Sequence, residues 1–351
     1  METTVGEAVA RRLIDWGIDT VFGLPGDGIN GLMEGFRRVR DQVRFILVQH
    51  EEAAAFMACG YAKATGRIGV CVATSGPGAI HLLNGLFDAK MDHAPVLALT
   101  GMQETSVLGT HYQQEVHTQL LYQTVADYNL MVTNPEQVPG VVDIAIRSAL
   151  VNQSVSHLTF PNDIQVAAAS QVPYRHVGPG VKPTSNPVAS RPAVPPDPDV
   201  LASAAEVLNA GQKVAMLVGV GARGAGAEVI DVADALGAPI VKTLPAKHVV
   251  PDDHPLCMGG LGLLGTKPSE EVMEECDTLL MVGTSYPYGT YLPAPGQARV
   301  VQIDIDASRI GLRLPVEVAV TADARVALSQ LWPMLQPRSD RTFLAKHQRG
   351  R

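Results

Sequence analysis

Short apolar runs alternate with stretches of helical spacing from the first residues of the chain. Val5, Val9, Leu13 and Trp16 recur at the three- and four-residue intervals of one helix face, and Val21 to Leu24 then reads as a short strand closed by Pro25-Gly26. Phe45 to Val48 is a second apolar strand, followed by a helix from about Glu51 to Thr65. Gly69 to Ala73 is a third, followed by the turn Thr74-Ser75-Gly76-Pro77-Gly78 and a helix to about Lys90; Val96 to Leu99 is a fourth. Strands that are apolar at every position, instead of at alternate ones, belong to parallel sheets covered by helices on both faces. The pattern predicts an α/β domain.

The texture changes between Val172 and Asp199, where eight of the chain's 25 prolines fall in 28 residues. Proline removes a backbone donor and fixes φ, so such a stretch forms neither a helix nor a central strand, and it is read as a linker. The strand and helix rhythm then resumes: a helix around Val200 to Asn209, strand Val214 to Val218, the glycine loop Gly219 to Gly226, a helix to Leu236 ended by Gly237, and strand Ile240 to Thr243. Thr278 to Val282 and Val300 to Ile305 are later strands, and a helix from about Asp323 to Leu335 closes the second domain, a six-strand-class α/β unit. The fold class is α/β, with two doubly wound parallel-sheet domains at 1–171 and 200–337, a proline-rich linker at 172–199 and a basic tail at 338–351. The tail holds five Arg or Lys against one acidic residue and reads as a solvated end.

Composition narrows the partners. With 46% hydrophobic and 18% charged residues the chain is an ordinary globular one, and 27 basic against 35 acidic residues give a net charge of −8, the wrong sign for a protein that binds phosphate backbones. Nucleic acid is therefore not an expected partner. No stretch approaches the roughly 18 apolar residues of a membrane span, and the start lacks the basic and apolar regions of a signal peptide. Cys59, Cys71, Cys257 and Cys276 lie far apart, with no Cys-x-x-Cys pair, which suggests neither a zinc site nor a disulfide framework. The chain reads as cytoplasmic.

Three features carry candidate chemistry. In Val48-Gln49-His50-Glu51-Glu52 two carboxylates open an Ala-rich helix directly after a strand. Acidic residues in a first helical turn are common because they suit the helix dipole, but the carboxyl end of a parallel strand is also where open α/β sheets bind ligands. Glu51, nearest the strand end, is the better candidate for an acid or base. The turn Thr74-Ser75-Gly76-Pro77-Gly78 offers backbone amides to a polar ligand, while His81 has no ligand partner at metal spacing and no metal ligand is assigned. In the second domain, Gly219-Val220-Gly221-Ala222-Arg223-Gly224 is only a loose relative of the dinucleotide fingerprint, and Val241-Lys242 ends the next strand without a carboxylate, which disfavours NAD.

Taken together, Phe22-Gly23-Leu24-Pro25-Gly26, His50-Glu51, Thr74-Ser75-Gly76-Pro77-Gly78, Asn84-Gly85-Leu86 with Asp88-Ala89, and Asp92-His93-Ala94-Pro95-Val96 resemble the pyrimidine-binding domain of thiamine-diphosphate enzymes. The match is closest to the pyruvate oxidase and quinone-linked pyruvate dehydrogenase branch, with acetolactate synthase next. The resemblance implies that Glu51 hydrogen-bonds the aminopyrimidine of the cofactor and drives it to the imino tautomer, which deprotonates the thiazolium carbon to the ylid that attacks a 2-oxo acid such as pyruvate. It further implies that Gly26, Thr74, Pro77 and Asn84 line the pyrimidine pocket and that His81 and Gln114 face the substrate. Gln113 departs from the aromatic residue that many oxidases of this branch carry before the glutamine, so substrate preference does not carry over. Gly259-Gly260-Leu261-Gly262-Leu263-Leu264-Gly265, Gly283-Thr284-Ser285-Tyr286-Pro287 and Gln302-Ile303-Asp304 resemble the FAD-binding central domain of the same branch. The residues so implied for the flavin are Gly219, Gly221, Arg223, Gly260, Leu261, Gly262, Leu263, Gly283, Thr284, Ser285, Tyr286, Pro287 and Asp304.

Gly26-Asp27-Gly28 looks like the opening of the family's magnesium and diphosphate motif. No asparagine follows at the required distance, the residues there being Ala53-Ala54-Ala55, so it is read as the turn after the first strand. The Mg2+ and diphosphate site of the family is thus expected outside this chain, which would bind the pyrimidine half of thiamine diphosphate and FAD. On this reading the chain is inactive by itself and joins a separate chain carrying the diphosphate-binding domain. The alternative is a catalytically inactive relic that folds, with or without FAD. In either case a homo-oligomer is expected, because the face around Glu51 is normally covered by a partner.

Overall fold

The computed structural model describes residues 2–169 and 193–350, which divide into two units, Met1–Arg191 and Pro192–Arg351. The predicted linker at 172–199 lies outside the described residues as far as 192. Each unit is a six-stranded parallel sheet with helices packed on it.

In the first unit the strands are β1 (Thr20–Gly23), β2 (Arg44–Leu47), β3 (Gly69–Ala73), β4 (Val96–Met102), β5 (Ala126–Met131) and β6 (Val155–Pro161), in the order β2-β1-β3-β4-β6-β5. The helices are α1 (Val5–Asp15), α2 (Asn30–Arg38), α3 (Glu51–Thr65), α4 (Pro77–His81), α5 (Leu83–Met91), α6 (Thr118–Tyr122), α7 (Val138–Asn152) and α8 (Asn162–Val166). Side chains of a strand alternate between faces. Val21, Val70 and Val72 accordingly join Leu13, Phe36 and Ile146 in one core layer, while Phe22, Cys71 and Ala73 join Ala55, Ala58 and Leu86 in the other. The apolar pattern missed β5 and β6. Strand β6 is buried throughout but carries Ser156, His157 and Thr159; His157 and Thr159 hydrogen-bond each other and Thr100 of β4, whereas the Ser156 hydroxyl has no hydrogen-bond partner.

Two polar clusters sit in this core. Arg12 of α1 pairs with Asp143 of α7 through Nε–Oδ1 at 2.5 Å and Nη2–Oδ2 at 2.7 Å, and the Trp16 indole donates to the same carboxylate at 2.9 Å. His157 stacks on Tyr122 at 3.7 Å, lies 2.8 Å from Asn129 Oδ1 through Nδ1 and 2.7 Å from Thr100 Oγ1 through Nε2, and burial pushes its pKa down to about 3. With Asn129 Oδ1 an obligate acceptor, the neutral ring donates from Nδ1 and accepts at Nε2.

In the second unit the strands are β7 (Val214–Val218), β8 (Ile240–Lys242), β9 (Cys257–Gly260), β10 (Thr278–Val282), β11 (Arg299–Asp304) and β12 (Val318–Thr321), in the order β12-β11-β10-β7-β8-β9. Counted within the unit this is the doubly wound order of dinucleotide-binding folds, reversing between its first and fourth strands. Its helices are α9 (Pro198–Ala210), α10 (Gly226–Leu236), α11 (Lys267–Glu275), α12 (Ala324–Leu331) and α13 (Thr342–Gln348). The tail is not the solvated end that its charge suggested. Leu344 and His347 of α13 are buried, Lys346 pairs with Glu275, and Arg338 donates to the last carbonyls of α9, Leu208 O and Asn209 O. Among the described residues no helix is long and apolar enough to cross a membrane, and all four cysteines are buried and unpaired by disulfides.

Candidate active site and the second sheet edge

The first sheet reverses its order between β1 and β3, and open α/β sheets bind ligands at the carboxyl end of such a switch. The loops that leave β1 and β3 meet there. Gly28 N–H donates to Thr74 Oγ1 at 3.1 Å, and a Cβ on Gly26 would stand 2.6 Å from Thr74 Cβ, so the two loops touch only because Gly26 has no side chain. Gln165, entirely buried, locks this turn: its amide donates to Gly28 O and Phe160 O at 2.8 Å and its carbonyl accepts from Leu32 N–H at 3.2 Å. Gly26-Asp27-Gly28 is thus a turn held by hydrogen bonds within the chain, as read from sequence.

Glu51 opens α3 as its first residue, with His50 as the N-cap accepting from Glu52 N–H through Nδ1. Its side chain is 9% exposed and sits at the helix start. A Cβ at Gly78 would lie 3.2 Å from Glu51 Oε1 and 2.8 Å from Thr74 Cγ2, so the glycine keeps one side of the carboxylate open to a flat group. An aminopyrimidine ring that must reach the carboxylate fits that opening. His81, the last residue of α4, places Nδ1 at 2.9 Å from Glu51 Oε2 and stacks on His50 with ring centroids 4.5 Å apart. The sequence left His81 without a ligand partner; packing of α4 against α3 supplies two.

Of the other residues read from the sequence, Pro77 begins α4, where its missing N–H costs nothing. Asn84 is exposed and donates its side-chain amide to Glu52 Oε1. Gln114 sits at φ +62° with its backbone against Gly76, whose Cβ would meet Gln114 O at 2.6 Å. Sequence reasoning missed Gln103, which donates to Gln113 O at 2.7 Å and Ser75 Oγ at 3.3 Å and so ties the Gln114 loop to the glycine turn.

In the second unit the reversal falls between β7 and β10, and the glycine loops after these strands interlock. Gly219 N–H donates to Val282 O at 2.8 Å and Gly221 N–H to Gly283 O at 3.0 Å; Gly283 has φ +60°, and a Cβ there would strike Gly221 Cα at 2.6 Å. Gln302, unassigned from sequence as a side chain, braces the loop by donating to Thr284 O and Arg309 O and accepting from Gly311 N–H. Arg223 Nε donates to His248 Nε2 at 3.2 Å, and burial together with the Arg223 charge holds that imidazole below its ordinary pKa.

Asp304, at the carboxyl end of β11, is buried, and burial raises its carboxyl above the usual range. Tyr286 donates its backbone N–H to Thr284 Oγ1, yet its buried hydroxyl has no hydrogen-bond partner and points at Gly262, 2.4 Å from where a Cβ would be. Leu261 is buried, whereas Leu263 and Leu264 stand 90% and 82% exposed beside Gly262. An orphaned hydroxyl, a glycine cradle and exposed apolar side chains suit a large, flat, partly apolar ligand of the flavin class. The place is not suited to NAD. Lys242 at the end of β8 is 2% exposed, pairs with Asp252 Oδ1 at 2.7 Å and donates to Lys247 O and Val250 O.

Both units match domains of known proteins. Residues 3–121 match the thiamine pyrophosphate enzyme N-terminal TPP binding domain, and residues 201–331 match the thiamine pyrophosphate enzyme central domain. The chain is 36% identical to pyruvate oxidase of Lactiplantibacillus plantarum, over 95% of this chain and 54% of that protein, and 33% identical to the acetolactate synthase large subunit of Corynebacterium glutamicum, over 93% and 52%. An uncharacterised 42.6 kDa protein from the isoamylase 3′ region of Pseudomonas amyloderamosa is 34% identical, over 97% of this chain and 84% of its own length. The chain thus spans about half the length of the pyruvate oxidase and acetolactate synthase relatives. With both domain matches falling on sheets whose switch loops carry the resembling residues, the chain belongs to the thiamine pyrophosphate enzyme family, of which it holds the N-terminal and central domains.

Proposed function

We propose that the chain supplies the pyrimidine-binding and flavin-binding parts of an enzyme that decarboxylates a small 2-oxo acid of the pyruvate class, with the diphosphate of the cofactor and its Mg2+ held by a diphosphate-binding domain outside residues 1–351. The observation that carries this reading is Glu51, a buried carboxylate at the start of α3 whose Oε1 faces the opening left by Gly78. Thiamine diphosphate, when bound, supplies the nucleophilic carbon that adds to the keto group. The work of the chain is to hold a proton at the buried Glu51 carboxylate against the aminopyrimidine, in a pocket lined by Gly26, Thr74 and Pro77, where proton transfer gains typically 10²–10⁴-fold in rate.

His81 orients that carboxylate through Nδ1 and, with Gln114 on the loop braced by Gln103, faces the substrate. Asn84 acts on the pocket wall through Glu52. In the second unit Gly219, Gly221, Arg223, Gly260–Leu263, Gly283–Pro287 and Asp304 hold FAD, Asp304 on its adenosine side. Exposed Phe56, Met57, Ile80, Phe87 and Met91 on α3, α4 and α5 support a homo-oligomer, because apolar side chains clustered there need cover.

The test is FAD titration of the purified chain, followed by flavin fluorescence and the visible spectrum, and then thiamine diphosphate binding to the wild type and to Glu51→Gln. Stoichiometric flavin binding in both proteins, with a thiamine response that Glu51→Gln weakens tenfold or more, is the expected result. No flavin bands and a thiamine response blind to Glu51 would overturn the reading and leave the inactive relic in its place.

A further inference from the structure

His50 has no part in the reading above, yet it completes a second grouping around the same carboxylate. One ligand atom from each of His50, Glu51 and His81 lies within 4.8 Å of the other two, and among the described residues this is the group of histidine, cysteine and carboxylate side chains that could hold a metal ion. Bonds of about 2.0–2.1 Å in a tetrahedral zinc site set ligand atoms roughly 3.3 Å apart. The Glu51 Oε2 to His81 Nδ1 edge, at 2.9 Å, is already near that spacing. The remaining edges close by rotation of two imidazoles that are half exposed, at 53% and 44%, and so turn without repacking the core. The third donor, Glu51, is fixed at the helix start, and among the described residues no lysine or arginine pairs with it.

The geometry points to a site for one borderline-soft divalent cation of the zinc class, held by His50, Glu51 and His81 when no pyrimidine is bound. Two imidazoles and one carboxylate with a fourth position left to water form a donor set suited to zinc, cobalt or nickel. Magnesium, which asks for octahedral oxygen ligands, is unsuited. The site differs from the family's magnesium site in donors, in place and in what it does. If Glu51 is the carboxylate that meets the aminopyrimidine, which rests on the function proposed above, one carboxylate cannot serve cation and pyrimidine together, so the cation competes with thiamine.

The experiment is zinc titration by calorimetry of the untagged, chelator-stripped full chain, with cobalt(II) as an optical probe of coordination and magnesium as a competitor. Expected are one zinc per chain, the intense visible absorption of tetrahedral cobalt, and no displacement by magnesium. His50→Ala, Glu51→Gln and His81→Ala should each weaken zinc at least tenfold, and His111→Ala, an exposed histidine elsewhere, should not. Circular dichroism melts of the metal-free variants check that they fold. Zinc affinity unchanged in His50→Ala and His81→Ala, or magnesium displacing zinc at equal concentration, would overturn the site.

A final arm adds thiamine, without phosphates that would themselves chelate the metal. A zinc isotherm shifted to higher concentration by thiamine supports the competition. Zinc binding that needs all three residues but ignores thiamine keeps the cation site and sinks the pyrimidine role of Glu51. Thiamine binding that needs Glu51 in a chain with no zinc affinity does the reverse.

Discussion

At the switch of the first sheet the polar groups have partners within the protein: Glu51 Oε2 with His81, Glu52 with Asn84, Gly28 with Thr74 and Gln165. At the switch of the second sheet a buried Tyr286 hydroxyl goes without a partner, and Leu263, Leu264 and Tyr288 stand in solvent. Both edges lie on six-stranded parallel sheets with the same kind of reversal, so the scaffold does not account for the difference. A site for proton chemistry needs its carboxylate oriented before the ligand arrives. A site that only holds a large ligand can leave contacts for that ligand to complete. On the function proposed above, the first unit would carry the chemistry and the second a bound group.

The largest expected break between the units is in acid. His157 of the first unit has its folded pKa lowered by burial to about 3, against about 6.5 in an unfolded chain. The unfolded chain therefore binds the extra proton, and the stability contributed by the neutral ring is fully present above about pH 6.5 and is lost as the pH falls towards 3, by up to about 5 kcal/mol. Asp304 of the second unit has the opposite sign: its raised folded pKa gives stability at low pH that is lost as pH rises through that value. Trp16 and Trp332 fall one in each unit. Urea unfolding of single-tryptophan variants between pH 7 and 4 should show the first unit weakening first, and equal losses would count against the contrast.

Next in size is Asp143→Ala, which takes from the buried Arg12 guanidinium its bidentate partner and leaves it the exposed Asp15 carboxylate at 3.0 Å, and should cost the first unit about 4 kcal/mol in the same urea measurement. Gly283→Ala in the second unit forces an alanine to φ +60° against the Gly221 backbone and should cost about 3 kcal/mol. It should also abolish flavin binding if the loops hold FAD. Smallest is Tyr286→Phe: removal of an unpartnered hydroxyl should raise stability by up to about 1 kcal/mol without flavin, and weaken flavin roughly fivefold. A stability loss instead would mean that the hydroxyl has a partner within the protein.

Helix α3 was legible to the residue, because an Ala-rich run opens with two acids and ends at Gly66 in the left-handed conformation. Strands β1, β3, β7 and β10 were legible as continuous apolar runs. Strand β6 was not, since its His157 finds partners only once β4 and β5 lie beside it. Within the site, Glu51 and the glycine turns could be read from their place after strands. Gln165, 137 residues from the Gly28 it anchors, and the His50–His81 stack could not, because they exist only through packing of distant segments.

Lys242 closes the second strand of a dinucleotide-type sheet, where such folds choose between nicotinamide cofactors with an acid for the ribose hydroxyl or a cation for the extra phosphate. Here the ammonium is turned inward and fully engaged by its own following loop. The lysine's charge is thus taken up by Asp252 and two backbone carbonyls instead of being presented at the sheet edge.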